Sequence, residues 1–219
     1  MTILPLRDDA DAARCASAVT AHLVAGGILA YPTETVYGLG TALEPDALER
    51  LARLKGREGG KPFLLLDADP QRLPGLHWTP AALLLANRFW PGPLTLALLA
   101  DNSFPASVQS PTATVAIRDT AHGPLRALLQ QIARPITSTS ANLAGGTPAS
   151  TLAGLQRVLH QLAGGAAVLV LDGGSLPASL PSTVVDCSGN RARLVREGAI
   201  PLVQLSASMR QLGFAIDVG

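Results

Sequence analysis

Charge is scarce in this chain: only 15% of its 219 residues are Asp, Glu, Lys or Arg, against 47% that are hydrophobic. The 17 basic residues nearly cancel the 16 acidic ones. Such a sequence buries a sizeable core and is not disordered. It presents no global field for nucleic acid, although a local basic cleft is compatible with the balance. Aromatic residues amount to 4%, which is poor in the stacking platforms that single-stranded RNA binding uses. The two cysteines, Cys15 and Cys187, are far apart and lack Cys-x-x-Cys spacing. No disulfide framework is expected, and a reducing, cytoplasmic location is. No apolar run is long enough to span a bilayer. Met1 to Asp11 lacks the basic start and apolar stretch of a signal peptide, so no membrane partner is expected.

Familiar catalytic signatures are missing too. His22, His77, His122 and His160 are scattered without metal-ligand spacing. No Gly-x-Ser-x-Gly elbow occurs. Gly59-Gly60-Lys61 runs into Pro62, and position 55 is lysine where a Walker loop needs glycine. Gly38-Leu39-Gly40 is not completed as a dinucleotide fingerprint. What the chain does have is cations, hydroxyls, amides and glycine turns set in apolar sequence.

Apolar spacing predicts helices over Asp8–Ala25, Pro45–Leu54, Thr79 to about Trp90, Gly123–Ala133, Leu152–Leu162 and Ser206–Leu212, the last stopped by Gly213. Strands are expected at Ile28–Tyr31, Phe63–Leu66, Leu94–Ala100, Thr114–Arg118, Pro135–Ser138 and Ala167–Leu171, with Thr183–Cys187 beside Ala192–Arg196. Alternating helices and strands imply a layered α/β domain. The length fits one domain, residues 1–219.

Several polar segments interrupt this pattern. Lys55, Arg57 and Lys61 crowd a glycine-rich loop after a helix, where they can grip phosphate oxygens or simply complement the helix dipole. Placed in a polar loop, Lys55 and Arg57 should matter little for folding. Thr33 and Thr35 share one side of the segment if it is extended, or cap a strand-end turn if it is not. Ser138, Thr139, Ser140 and Asn142 follow a strand, where α/β sheets place ligands and where turns also form. Arg118, Ser182 and Arg196 stand at strand ends and suit either anion binding or protection of a sheet edge.

Together these segments resemble the YrdC-like family of threonylcarbamoyl-adenylate synthases, in its short single-domain form. The resemblance runs from about Gly26 to Pro201. It rests on Pro-Thr-Glu-Thr-Val-Tyr-Gly-Leu-Gly from Pro32, Lys55-x-Arg57, Trp-Pro-Gly-Pro-Leu-Thr from Trp90, Val-x-Ile-Arg ending at Arg118, Ser140-x-Asn142, Pro-Ser-Thr-Val-Val-Asp from Pro181 and Arg-x-Gly-x-Ile from Arg196. The resemblance implies a single-domain α/β fold, a twisted mixed sheet flanked by helices around a concave basic cleft. It implies synthesis of threonylcarbamoyl-AMP from ATP, L-threonine and bicarbonate or CO2, with release of pyrophosphate. The product would pass to the tRNA threonylcarbamoyl-transferase machinery for modification beside the anticodon, with weak tRNA binding compatible with that role. Lys55, Arg57, Lys61, Thr114, Ser140, Asn142 and Arg196 would line the ATP side, with Lys55 and Arg57 catalytic. Thr33, Thr35, Arg118, Ser138 and Ser182 would hold threonine. Mg²⁺ would come bound mainly through the ATP phosphates.

Three departures from the family pattern stand out: Glu58 for a usual proline, Leu66 where some relatives carry histidine, and Asp119-Thr120 near a common proline. Two other readings compete. One is an RNA-binding or ribosome-assembly module. The other is a carbamoyl-handling domain of the hydrogenase-maturation type, which normally comes with further domains.

Overall fold

Helix starts follow the caps that the sequence supplies. The Asp8 carboxylate accepts from the Asp11 N–H at 2.7 Å, and the Thr79 hydroxyl accepts from the Ala82 N–H at 3.1 Å just before Pro80. Each satisfies a donor left unpaired in a first helical turn. The computed structural model describes residues 1–56, 61–162, 168–210 and 213–218. Within them the strands are β1 (Thr2–Pro5), β2 (Ile28–Pro32), β3 (Tyr37–Gly40), β4 (Leu64–Leu66), β5 (Leu76–His77), β6 (Leu94–Ala100), β7 (Thr114–Arg118), β8 (Ile136–Ser140), β9 (Val168–Asp172), β10 (Thr183–Asp186), β11 (Ala192–Arg196) and β12 (Ile216–Val218). The helices are α1 (Asp9–Val24), α2 (Pro45–Lys55), α3 (Pro80–Phe89), α4 (Gly123–Ile132), α5 (Leu152–Leu162) and α6 (Leu202–Arg210).

The strands form one mixed sheet in the order β1-β9-β2-β3-β8-β4-β7-β6-β10-β11-β12, with β5 on β6. Alternation along each strand divides side chains between two faces. Leu65, Leu96, Leu98, Val115, Ile117 and Val185 join the larger core cluster, together with apolar residues of α2, α3, α5 and α6. On the other face Leu29, Tyr31, Leu66, Ile136, Leu169 and Leu171 pack with α1 and α4. That second cluster includes no described residue of β6, β7, β10 or β11. Beyond β4, the second face therefore carries Thr114, Ala116 and Arg118 of β7 and Thr95 and Ala97 of β6. This is where a sheet can receive a ligand.

The expected neighbours β10 and β11 do pair, and they run antiparallel. Four strands, β1, β3, β5 and β12, escape the reading of apolar patterns. β1 and β12 are short edge strands, β5 has two residues, and β3 reads Tyr-Gly-Leu-Gly, against β propensity. The closing helix starts four residues before Ser206 and is described to Arg210; Gly213 follows at φ +78. Ala167 and Leu212 lie outside the described residues. Ser138, Thr139 and Ser140 do not follow a strand; they belong to β8, held extended by antiparallel ladders with β3 and β4 on its two sides.

Candidate functional site

Two polar centres occupy the sheet. The first lies at the C-terminal end of β8. Lys55 is the last residue of α2, which ends on Gly56 at φ +59, a left-handed cap that glycine adopts at little cost. The Lys55 ammonium donates to the Ser140 carbonyl at 2.9 Å, the Asn142 carbonyl at 2.6 Å and Asn142 Oδ1 at 3.1 Å. Ser140 Oγ donates to the same Oδ1 at 2.7 Å, while Asn142 Nδ2 donates to the Gly146 carbonyl at 2.9 Å. The two short motifs therefore meet around one cation. Lys55 is helical and part-buried, not a loop residue, so it ties α2 to β8 as well as supplying charge. Lys61 is exposed ahead of β4. Thr114, at the start of β7, pairs its hydroxyl with Ser110 Oγ at 2.7 Å. Arg57 and Glu58 lie outside the described residues.

The second centre is built on the β2–β3 hairpin. Pro32 pairs with Tyr37, so Thr33 to Val36 form the turn and are not extended. Thr33 Oγ1 accepts from the N–H groups of Thr35 and Val36 at 3.2 and 3.1 Å and donates to the Val36 carbonyl at 2.7 Å. It lies 2.9 Å from Thr35 Oγ1. The threonine side chains act as internal turn caps, and their two hydroxyls are brought together by the turn.

From this turn Glu34 reaches β7. Its Oε1 pairs with Arg118 Nη2, and its Oε2 accepts from Thr120 Oγ1 at 2.5 Å. Since β8 and β4 lie between β3 and β7, the turn must fold across them, a span of about 14 Å at normal strand spacing. Arg118 is 5% exposed, and its Nε donates to the Gly92 carbonyl at 3.1 Å. The Arg118–Glu34 contact is an ion pair without hydrogen-bond geometry, and neither contacting atom has another hydrogen bond. Burial pushes the Glu34 carboxyl upward, but Arg118 and Thr120 more than offset this and hold it below the usual range.

Arg196 donates to the Ser182 carbonyl at 2.8 Å, and Ser182 Oγ lies 2.9 Å from Thr95 Oγ1. Burial and, after it, the Arg118 charge lower the Arg196 pKa, so the two guanidinium groups share one field. Ser138 is buried on β8 beneath the hairpin. Sequence reasoning named Arg118, Arg196, Ser138 and Ser182 but missed Glu34 and Thr120 as site residues. The available signal was a lone carboxylate set between two threonines inside a buried stretch.

The departures at Leu66 and at Asp119-Thr120 fall among the described residues. Leu66, register partner of Arg118, packs into the second core cluster. Asp119 is gripped by Arg126 Nε at 2.9 and 3.1 Å, yet burial pushes its carboxyl up to about 6. Among the described residues no three His, Cys, Asp or Glu are grouped so that they could hold a metal ion. No helix is long and apolar enough to cross a membrane among the residues described.

Comparison with known proteins shows what the chain as a whole is similar to. Residues 21–198 match the Sua5–YciO–YrdC family model, which carries the description "Telomere recombination". A threonylcarbamoyl-AMP synthase of Thiobacillus denitrificans is 41% identical over 169 residues, 76% of this chain and 87% of that protein. One from Pyrococcus abyssi is 37% identical over 186 residues, 82% of this chain but only 53% of its own length, so the chain spans about half of that relative. The crystal structure of P. abyssi Sua5 complexed with L-threonine superposes with a TM-score of 0.84 at 29% identity, covering 100% of this chain and 63% of that one.

Proposed function

This chain belongs to the Sua5–YciO–YrdC family, and from that membership we propose that it is a threonylcarbamoyl-AMP synthase. It joins ATP, L-threonine and bicarbonate or CO2 into threonylcarbamoyl-AMP and releases pyrophosphate. The observation that carries the reading is the pair of cationic centres, Lys55 at the end of β8 and Arg118 under the β2–β3 turn, whose charge is felt at Arg196. They suit a reaction between two anionic substrates.

The neutral amine of threonine combines with CO2, and loss of one N–H proton to solvent gives a carbamate that already bears its negative charge. A carbamate oxygen then attacks the α-phosphorus of ATP, the new P–O bond forms, and pyrophosphate leaves. An anionic nucleophile needs no side-chain base at this step; it needs alignment and neutralised charge. Lys55 supplies a compact cation near the triphosphate, with Arg57 and Lys61 in the same segment, while Thr114, Ser140 and Asn142 line the nucleotide side. Arg118 offers a planar fork to the threonine carboxylate, and Thr33, Thr35, Ser138 and Ser182 give its hydroxyl small polar neighbours. Arg196, between the halves, faces charge from both substrates. The nucleotide enters as its Mg²⁺ complex, the ion held mostly by phosphates and water. The product goes to the machinery that modifies tRNA, in the cytoplasm.

The test is mass spectrometry of the nucleotide formed when the chain is incubated with MgATP, bicarbonate and L-threonine. The reading requires an adenylate of threonylcarbamoyl mass that is absent when bicarbonate or threonine is left out. AMP or ADP as the sole nucleotide product would refute it.

A further inference from the structure

We propose that Glu34, braced by Thr120, is a positioning residue that holds the Arg118 guanidinium for an incoming carboxylate. The inference rests on the reading above, because Arg118 is there the receiver of the threonine carboxylate. A guanidinium as buried as this one is expensive unless a carboxylate and hydrogen bonds accompany it. Within its own strand Arg118 has no such carboxylate. Its fixed contacts are the Gly92 carbonyl on Nε and the Glu34 carboxylate on Nη2. These lie on one edge of the planar group and fix its orientation.

Glu34 is itself pinned. The turn that carries it is locked by the Thr33 hydroxyl, which bonds Thr35, Val36 N–H and Val36 carbonyl. Its second oxygen is fixed by Thr120, whose hydroxyl also accepts from the His122 N–H at 3.2 Å. Arg118 and Thr120 are two residues apart at the end of β7, so one carboxylate spans that strand end and ties it to the hairpin. The brace also offsets one of the two neighbouring positive charges, Arg118 and Arg196, that would otherwise repel each other. A purely structural ion pair would stiffen the fold without favouring one substrate. A brace on the receiver of the carboxylate acts on the amino acid and leaves the nucleotide centre at Lys55 alone.

The experiment measures KM for threonine and for ATP, kcat, threonine binding by calorimetry and thermal stability, for wild type, Glu34→Gln, Glu34→Asp, Thr120→Val and the Glu34→Gln/Thr120→Val double variant. Glu34→Gln should raise the threonine KM and Kd about tenfold or more, the scale of one lost charge-assisted contact, with the ATP KM within about twofold of wild type. Glu34→Asp should recover part of the loss. Thr120→Val keeps the ion pair and should raise the threonine KM by a smaller factor, an effect that disappears in the Glu34→Gln background because the two act through one carboxylate. If Glu34→Gln does not fold, the Thr120→Val split between threonine and ATP decides. Unchanged threonine KM in folded variants, or equal losses for both substrates, would overturn the brace while leaving the synthase reading intact. A wild-type chain that neither forms the adenylate nor binds threonine would overturn both.

Discussion

Lys55 has two jobs in one atom. Its ammonium is the cation proposed for the phosphates and also the donor that joins α2 to Ser140 and Asn142. Lys55→Ala should therefore slow adenylate formation about a hundredfold or more, the usual cost of removing a charge-stabilising donor. It should also destabilise the fold by about 1–3 kcal/mol, because the oxygens around Nζ lose a charged donor. Steady-state kinetics and urea unfolding of the same preparation check both parts; turnover near wild type would remove Lys55 from the phosphate site. Asp119 makes a pH-dependent case. Its folded-state pKa, raised to about 6, exceeds that of an unfolded carboxyl, about 3.9. Its protonated form thus contributes stability that is fully present below about pH 4 and lost as the pH rises through 6. Glu34, held low, works in the opposite direction, its contribution being lost on acidification. Asp119→Asn should flatten the Asp119 part of the Tm profile between about pH 4 and pH 6, which thermal unfolding across that window measures. An unaltered profile would show that Asp119 titrates as an ordinary carboxyl.

At the scale of elements, the hairpin turn depends on β3 lying close against its neighbours. A Cβ on Gly40 would stand 1.9 Å from the Thr137 carbonyl oxygen and 2.9 Å from the Tyr31 hydroxyl. The Tyr31 hydroxyl donates to that same carbonyl at 2.8 Å. Gly40→Ala should cost about 1–3 kcal/mol, as overpacking of a close contact does, and should loosen the ladder between β3 and β8. Urea unfolding gives the first quantity and amide exchange at Leu39 the second; wild-type stability would mean that β8 moves freely. The same strand shows why some elements were readable and others not. α1, α4, β6 and β7 announce themselves through apolar period and caps, because burial against one layer sets their composition. β3 does not, since its glycines answer to the close approach of Tyr31 and β8, partners far away in sequence. Thr33 and Thr35 were legible both as an extended pair and as caps of a strand-end turn, and the Pro32–Tyr37 register decides for the turn. Arg118 could be singled out, from its type and its place at a strand end, as the carboxylate receiver proposed above. Glu34 as its partner could not, because that pairing exists only once the hairpin crosses β8 and β4.

Amino-acid choice belongs to the whole molecule, since the residues proposed to receive threonine come from β2–β3, β7, β8 and the entry to β10. A pocket that hydrogen-bonds a hydroxyl rejects an analogue lacking it far more strongly than one lacking a methyl group. Serine should therefore be used about ten- to two-hundredfold less well than threonine, and valine far more poorly still. Pyrophosphate release with the three amino acids measures this, and equal rates with valine and threonine would remove the case for a threonine pocket.

The ties that bring separate elements together at the two centres span long stretches of sequence. Glu34 and Thr120 are 86 residues apart, Lys55 and Asn142 87, and Thr95 and Ser182 also 87. No contiguous stretch of the chain contains a complete half of either centre. A partly opened molecule, with the hairpin lifted or β10 detached, keeps much of its core yet has lost the geometry that recognises a ligand. Occupancy and global unfolding are thereby linked: a ligand that needs every distant tie binds the closed chain alone and draws population away from each open form in proportion to its saturation. For such an architecture, a larger supply of that ligand should lengthen the time the chain survives proteolysis.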